Sequence, residues 1–395
     1  MRVPRTSHKK SNFRKRILVI GMLDSVHFAR WLKQFEDQEI DFYILASKKY
    51  RKINPILTSL SRNTISAKYM HFRFQSFSRI SGYLDFVIFE IIKKISGTNI
   101  RLKVLSRILK KWNFDYVHAL ELQGAGYLLS SVDRRLFSKS KVIVTNWGSD
   151  IYFFKKDLKH KLLIERTLSY ADFYSAECNR DYALARDLGF RGIELPCIPN
   201  AGGFNILANP SELSKPSSRN QILVKGYGND FGRASMVIDL MPILVKKYPQ
   251  YIFHFYSVTD DTLKLIAALP DNVICNVKVT TIKQKIDHSE MMLEFKKSRL
   301  YIGCSVSDGI STSFLESLIF GCYPIQTDTS CANEWIERGV IASIIPLDRD
   351  NLLSEIENSL DTDDFIDSAA LVNQEISLTY LSNKVVKEQA LKFYI

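Results

Sequence analysis

Between residues 199 and 221 the chain reads PNAGGFNILANPSELSKPSSRNQ. Proline, glycine, serine and asparagine at this density pull the backbone toward turns and leave few side chains for a core, which is linker chemistry. On both sides of it, apolar runs of strand length alternate with longer helix-like stretches. "RILVIG" (16–21), "DFYILAS" (41–47), "FDYVHAL" (114–120) and "KVIVTNWG" (141–148) come before it; "QILVKGYG", "YIFHFYS", "RLYIGCS", "CYPIQT" and "ASIIPL" come after. Strands alternating with helices imply parallel sheets covered on both faces. The expectation is an α/β chain of two doubly wound, Rossmann-like domains, the first over 16–203 behind a basic tail at 1–15, the second from 204. At 395 residues the chain also exceeds what one core usually organises. Two such domains leave a cleft between their strand ends, where these folds bind ligands.

The net charge of +12 is unevenly spread. Residues 1–203 hold 36 Lys/Arg and 18 Asp/Glu, a net of +18, whereas residues 204–395 hold 18 and 24, a net of −6. A basic half suits nucleic acid or an anionic membrane. It shows no clustered aromatic-plus-basic strands of single-strand binders and no nucleic-acid motif, so no nucleic-acid partner is expected. "YLDFVIFEIIKKI" (83–95) reads as an amphipathic helix with a basic rim, either a domain helix with solvated lysines or a membrane-surface element. No apolar run reaches the length of a membrane span, and "ILVIG" is too short for a signal sequence. Six scattered cysteines without a CxxC pair or zinc-like Cys/His spacing fit a reducing compartment. Together these features predict a cytoplasmic protein, at most peripheral on the inner face of the plasma membrane.

The chemistry concentrates in "SDGISTSFLESLIFGCYPIQT" (307–327), where Asp308 and Glu316 stand eight residues apart around a hydroxyl-rich turn. Ser313 and Glu316 have the spacing of a capping box. The same free N–H groups at a helix start would also bind a phosphate. "LVKGYGNDFGRAS" (223–235) offers Lys225 just before Gly226 and Arg233 just after Gly232. An arginine fork fits a diphosphate, and a cation at a helix start is otherwise disfavoured by the dipole. The acids of "VTDD" (258–261) precede a helix and read as ordinary N-terminal caps, so no metal-binding acid pair is expected.

This order of features resembles the two-domain glycosyltransferases of the GT-B fold, specifically the large retaining family 4, over nearly the whole chain. The most specific element is the acid-x7-Glu signature, Asp308-Gly309-Ile310-Ser311-Thr312-Ser313-Phe-Leu-Glu316, followed by Gly321 and Pro324. The family usually has Glu at the first position, so Asp308 is shorter by one methylene. The resemblance implies that Asp308 faces a donor sugar, that Glu316 binds the ribose of a nucleotide, and that the turn between them meets a diphosphate with Lys225 and Arg233. It implies that His27, in "DSVHFARWLKQF", faces the cleft, with Trp31 in the core. "TNWGSDIY" (145–152) is similar to the family's Thr-x-His-Gly-x-Asp loop, with Asn146 and Trp147 in it and Trp147 where that His is expected. Asp150 would orient the acceptor hydroxyl or cap the next helix. The implied fold is GT-B, with a second domain over 204–376 and a C-terminal helix, 377–395, crossing back to the first. The implied activity is retaining transfer of a sugar from a nucleotide diphosphate sugar, a UDP-sugar favoured, to a glycan or lipid-linked glycan, without metal or other cofactor. A GT-B nucleotide-sugar 2-epimerase and a degenerate GT-B partner subunit are the alternatives.

Overall fold

The computed structural model describes residues 14–63, 68–71, 82–97, 99–206, 213–228, 230–284 and 286–395. The expected basic tail therefore lies almost wholly outside the described residues. Thirteen strands form two parallel sheets. The first holds β1 (Lys15–Gly21), β2 (Ile40–Ala46), β3 (Lys68–His71), β4 (Tyr116–Leu120), β5 (Lys141–Thr145), β6 (Phe173–Ser175) and β7 (Ile193–Glu194), in the order β3-β2-β1-β4-β5-β6-β7. The second holds β8 (Gln221–Lys225), β9 (Ile252–Val258), β10 (Val277–Thr281), β11 (Ser298–Gly303), β12 (Tyr323–Thr327) and β13 (Ser343–Ile345), in the order β10-β9-β8-β11-β12-β13. This is the GT-B arrangement.

Each sheet is central enough to need apolar residues on both faces. In β1 the run Ile17–Ile20 is entirely buried, alternate side chains entering two different core clusters. β11 repeats the pattern in the second sheet, with Leu300 and Ile302 in one cluster and Tyr301 in the other. That is why these strands read as continuous apolar runs. Strand order reverses between β1 and β4 and again between β8 and β11. Chain connections diverge there, leaving a crevice at the carboxyl ends of the strands. Lys225 ends β8, and Asp308 follows β11 by five residues, so both leave the second sheet at its crevice.

The two domains are joined twice. Phe204 pairs with Ser382 in an isolated parallel bridge, the Phe204 N–H donating to Leu381 O (2.8 Å) and the Asn383 N–H to Phe204 O (2.9 Å). A Cβ at Gly203 would lie 2.6 Å from the Asn383 Cα, so only glycine lets the two crossing segments touch. After the second crossing, the helix Asn383–Ala390 and the final turn return to the first domain. Phe393 packs on Trp31 (ring centroids 4.8 Å apart), and the Tyr394 hydroxyl lies 2.8 Å from Nδ1 of fully buried His118. Burial pushes the His118 pKa down to about 3, so this core histidine is neutral.

Among the described residues no helix is long and apolar enough to cross a membrane. Phe393→Ala removes a fully buried ring from the seam between tail and first domain, and should cost about 3–5 kcal/mol. Urea unfolding would measure it; a midpoint unchanged from wild type would mean that the tail does not support this core.

Candidate functional site

A cavity of about 420 Å³ opens between the domains at both strand-order reversals. The first domain lines it with His27, Trp147, Gly148, Glu177 and Asn200. The second contributes Lys225, Tyr227, Tyr256, Ser257, His288, Asp308, Ile310, Thr312, Ser313 and Glu316. A larger cavity, about 630 Å³, lies on the linker side among Arg30, Lys33, Lys296 and Lys387; it shares only His288 with the first and contains neither Asp308 nor Glu316.

Asp308 organises the second-domain wall. One carboxylate oxygen accepts the Gly309 N–H (2.9 Å) and the other lies 3.7 Å from Lys225 Nζ. Lys225 also donates to Ser311 Oγ (3.3 Å). Burial lowers the pKa of this lysine, but Asp308 and then the Tyr301 and Tyr227 hydroxyls outweigh it and hold the pKa above the ordinary value. A fixed positive charge therefore stands beside the start of the helix Thr312–Ile319, whose first N–H groups have no intrahelical partner.

The expected capping box does not form. The cap is Ser311, two residues before Ser313, and no side chain closes it. Ser313 is already helical, and Glu316 accepts a bond from His288 Nε2 at 2.7 Å instead of reaching back. The Ser311 hydroxyl, which could have capped the helix, is turned to Lys225.

His27 and Trp147 meet edge to face at 6.2 Å. Burial first, then Arg30 and Lys225, push the His27 pKa down to about 4, so the imidazole is neutral. The Trp147 indole N–H is buried and without a hydrogen-bond partner among the described residues. Leaving such a donor unmade costs about 1–3 kcal/mol, which a ligand oxygen would recover. Asp150 neither lines the cavity nor caps the following helix; it accepts the N–H groups of Leu122 (2.8 Å) and Trp147 (3.2 Å). Burial, then Glu121, raises its pKa to about 7. It is thus a positioning residue for the Trp147 turn. Asn146 is also buried behind that turn, its amide donating to Asp181 and its carbonyl accepting from Asn200.

Arg233 is not part of the cavity lining. An antiparallel bridge between Gly232 and Ser305 holds its segment against the strand end, its N–H goes to Cys304 O and its guanidinium donates to Gly232 O at 2.6 Å. Among the lining residues that the sequence patterns did not single out are a carboxyl and an imidazole, Glu177 and His288. Glu177 follows β6 by two residues, at the same sheet edge as Trp147. Its Oε1 accepts the Asn200 N–H (2.9 Å), and burial, with Asp308 adding to it, pushes its pKa up to about 8.

The domains touch through glycine at the end of the cavity. Gly148 has φ +47°, and a Cβ on it would sit 3.3 Å from an Asp308 oxygen. A Cβ on Gly309 would meet the Gly148 Cα at 3.2 Å and Glu177 Oε2 at 3.4 Å. Beside this contact, Arg180 donates to Asp308 O (2.9 Å), Glu334 accepts the N–H groups of Asn179 and Arg180 (2.8 and 3.0 Å), and Cys178 Sγ lies 2.7 Å from Cys331 Sγ.

Two parallel doubly wound domains with a charged cleft at both reversals define a GT-B protein. Residues 16–175 match the family described as Glycosyl transferase 4-like. A search of curated protein sequences finds no match. The chain is similar in structure to sucrose-phosphate synthase from Thermosynechococcus elongatus (TM-score 0.68, 12% identity, 96% of this chain and 98% of that one). It is similar to Anabaena HepE in complex with UDP-glucose (0.67, 13%, 96% and 98%). It is also similar to a variant of S. aureus TarM in complex with fondaparinux, α-GlcNAc-glycerol and UDP (0.68, 12%, 96% and 99%). The protein accordingly has a GT-B fold, and the glycosyl transferase 4-like match lies within its first domain.

The Glu177 shift has a definite sign in stability. The folded chain keeps this proton to about pH 8, while the unfolded chain releases it near the ordinary value of 4.5. Between those values the unfolded state binds fewer protons, so stability falls as pH rises and levels off above about pH 8. Glu177→Gln removes this slope: the variant's stability relative to wild type should increase from pH 5 to 8 and then stay constant. Parallel stability curves over that range would contradict the assignment.

Proposed function

We propose that the protein is a retaining glycosyltransferase that moves a sugar from a nucleotide diphosphate sugar, a UDP-sugar in preference, to an acceptor hydroxyl. The observation that carries this reading is the convergence of Lys225, the start of the helix Thr312–Ile319, Asp308 and Glu316 on one interdomain cavity. Breaking a glycosyl–phosphate bond builds negative charge on the departing diphosphate and positive charge on the sugar ring. Lys225 and the unpaired helix N–H groups are preorganised for the former. Asp308 is placed to stabilise the latter and to accept from a sugar hydroxyl, and Glu316, held by His288, to receive the ribose. The leaving phosphate itself takes the acceptor proton on the same face, which retains the anomeric configuration. The UDP-glucose and UDP complexes of HepE and TarM support a UDP-sugar as donor.

A glycan or lipid-linked glycan is the proposed acceptor, in synthesis of a bacterial surface polysaccharide. The basic first half supports a position on anionic membrane, as does the helix Gly82–Ser96, which exposes Ile91 (50%) and Ile95 (82%) beside Lys93 and Lys94. The protein should sediment with anionic vesicles and be released by salt; equal binding to zwitterionic vesicles would remove this part of the reading.

A second reading is a nucleotide-sugar 2-epimerase, because Glu177 and His27 place a carboxyl and an imidazole on the first-domain wall. Formation of a 2-epimer from UDP-GlcNAc without acceptor would establish it in place of transfer.

Lys225→Ala and Glu316→Ala should each lower kcat/KM for transfer by about a hundredfold or more, as loss of a transition-state or ribose contact does. Arg233→Ala should fall well short of that. Turnover should continue in excess EDTA, since cationic and backbone donors serve the diphosphate. Near-normal turnover in Lys225→Ala, or activity lost to EDTA and restored by magnesium, would overturn the assignment.

A further inference from the structure

We propose that Glu177 is a specificity-determining residue whose carboxyl group, on the wall opposite Asp308, hydrogen-bonds a hydroxyl of the transferred sugar. The inference rests on the donor-site reading above and extends it to the first domain.

The geometry puts one Glu177 oxygen beside the Asp308–Gly309 turn. Oε1 is occupied by the Asn200 N–H, and a bond from the Gly148 N–H also holds the group. Oε2 lies against the Asp308–Gly309 turn, 3.4 Å from where a Gly309 Cβ would stand. Glu177 and Asp308 therefore approach one end of the cavity from opposite domains. The phosphates have Lys225 and the helix start on the second-domain wall, and the ribose has Glu316 beside His288. The end of the cavity that Glu177 and Asp308 both line is what remains for the sugar.

The chemistry of the group agrees with its place. Among the described residues no Lys, Arg or His makes an ion pair with Glu177. Glu177 is half-buried, and a carboxylate withdrawn from water without a cation is costly, so the group keeps its proton near pH 7. Asp308 across the cavity and Asp181 on the neighbouring helix push the same way; Cys197, His27 and Lys225 are the other titratable groups around it. A neutral carboxyl keeps an O–H donor and does not repel a diphosphate. Asp308, an acceptor, and Glu177, a donor, would then read one sugar hydroxyl from two sides. A half-buried pair of this kind discriminates, because an epimer that misplaces the hydroxyl leaves both groups unpaired.

The test is calorimetric titration of wild type, Glu177→Ala and Glu177→Gln with UDP and with UDP-glucose, UDP-galactose and UDP-GlcNAc. The quantity read is the affinity of the best-bound UDP-sugar relative to UDP. This ratio should fall by about tenfold or more in Glu177→Ala. Glu177→Gln, which keeps an acceptor and an N–H donor, should restore most of it. Raising the pH from 7 to 9.5 should lower the ratio in wild type and leave Glu177→Gln unaffected, a comparison that stands even if Glu177→Ala does not fold. An unchanged ratio in Glu177→Ala, identical pH profiles of wild type and Glu177→Gln, or no sugar improving on UDP in the wild type overturns the inference while UDP binding keeps the donor-site reading. Failure of the wild type to bind UDP at all overturns both.

Discussion

A lysine cannot keep its charge inside a protein without a partner, and in this structure the partner of Lys225 is Asp308. The two residues leave adjacent strands, β8 and β11, at the reversal of strand order, where no crossover chain fills the space. Their pairing fixes a positive charge at the mouth of the second domain before any ligand arrives. Such a charge costs no reorganisation at the moment of reaction, which is the main economy of a preorganised site. In the proposed reading, a diphosphate entering the cavity would offer Lys225 a second anion and so release the Asp308 carboxylate in part to face the sugar. The one-methylene shortening at Asp308 suits this arrangement: the carboxylate sits close to its own backbone, on the Gly309 N–H, with Lys225 behind it.

The two walls of the cleft divide the electrostatics. The second domain carries the charged groups, Lys225, Asp308 and Glu316. The first presents a neutral imidazole, an indole N–H and a carboxyl with a raised pKa. This division contrasts with the net charges, since the first half of the chain is the strongly basic one. The excess of cations there is a surface property, whereas the site is set by burial. A neutral first-domain wall can approach a nucleotide diphosphate sugar without either attracting the phosphates away from Lys225 or repelling them.

Much of this was legible in the sequence, and what was not has physical reasons. Strands buried on both faces must be apolar throughout, so β1, β8 and β11 announce themselves, and the Gly202-Gly203 crossing shows as a break in composition. Asp308 and Lys225 could be placed because they stand at or after strand ends and next to glycine, and Glu316 by its spacing of eight residues from Asp308. Arg233 has the same local signature, yet the Gly232–Ser305 bridge directs its segment away from the lining, and a bridge between residues so distant in sequence leaves no local trace. The Ser313–Glu316 spacing was a true pattern with the wrong partner, because His288, from another helix, competes for the same carboxylate. Asp150 carried an acid in the expected loop, but its Oδ2 is turned to the N–H groups of Leu122 and Trp147 and the residue does not line the cavity. Glu177 is a single acid after a three-residue strand; only the fold reveals that it faces a cavity.

The domain seam depends on the same residue as the site. Asp308 offers its side chain to Lys225 within the second domain and its carbonyl to Arg180 of the first. Arg180 is itself stacked over Tyr152 (4.0 Å) and paired with Asp181 (2.9 Å), so the contact is made by a restrained side chain. Glu334 adds two charge-assisted bonds to the N–H groups at the start of the neighbouring helix, where the dipole favours a carboxylate. The two chain crossings meet at Phe204 and Ser382, where backbone bonds and a glycine contact hold them together. A ligand that draws on Asp308 therefore acts where the domains meet. The turn proposed to face the sugar is also the turn through which the second domain holds the first.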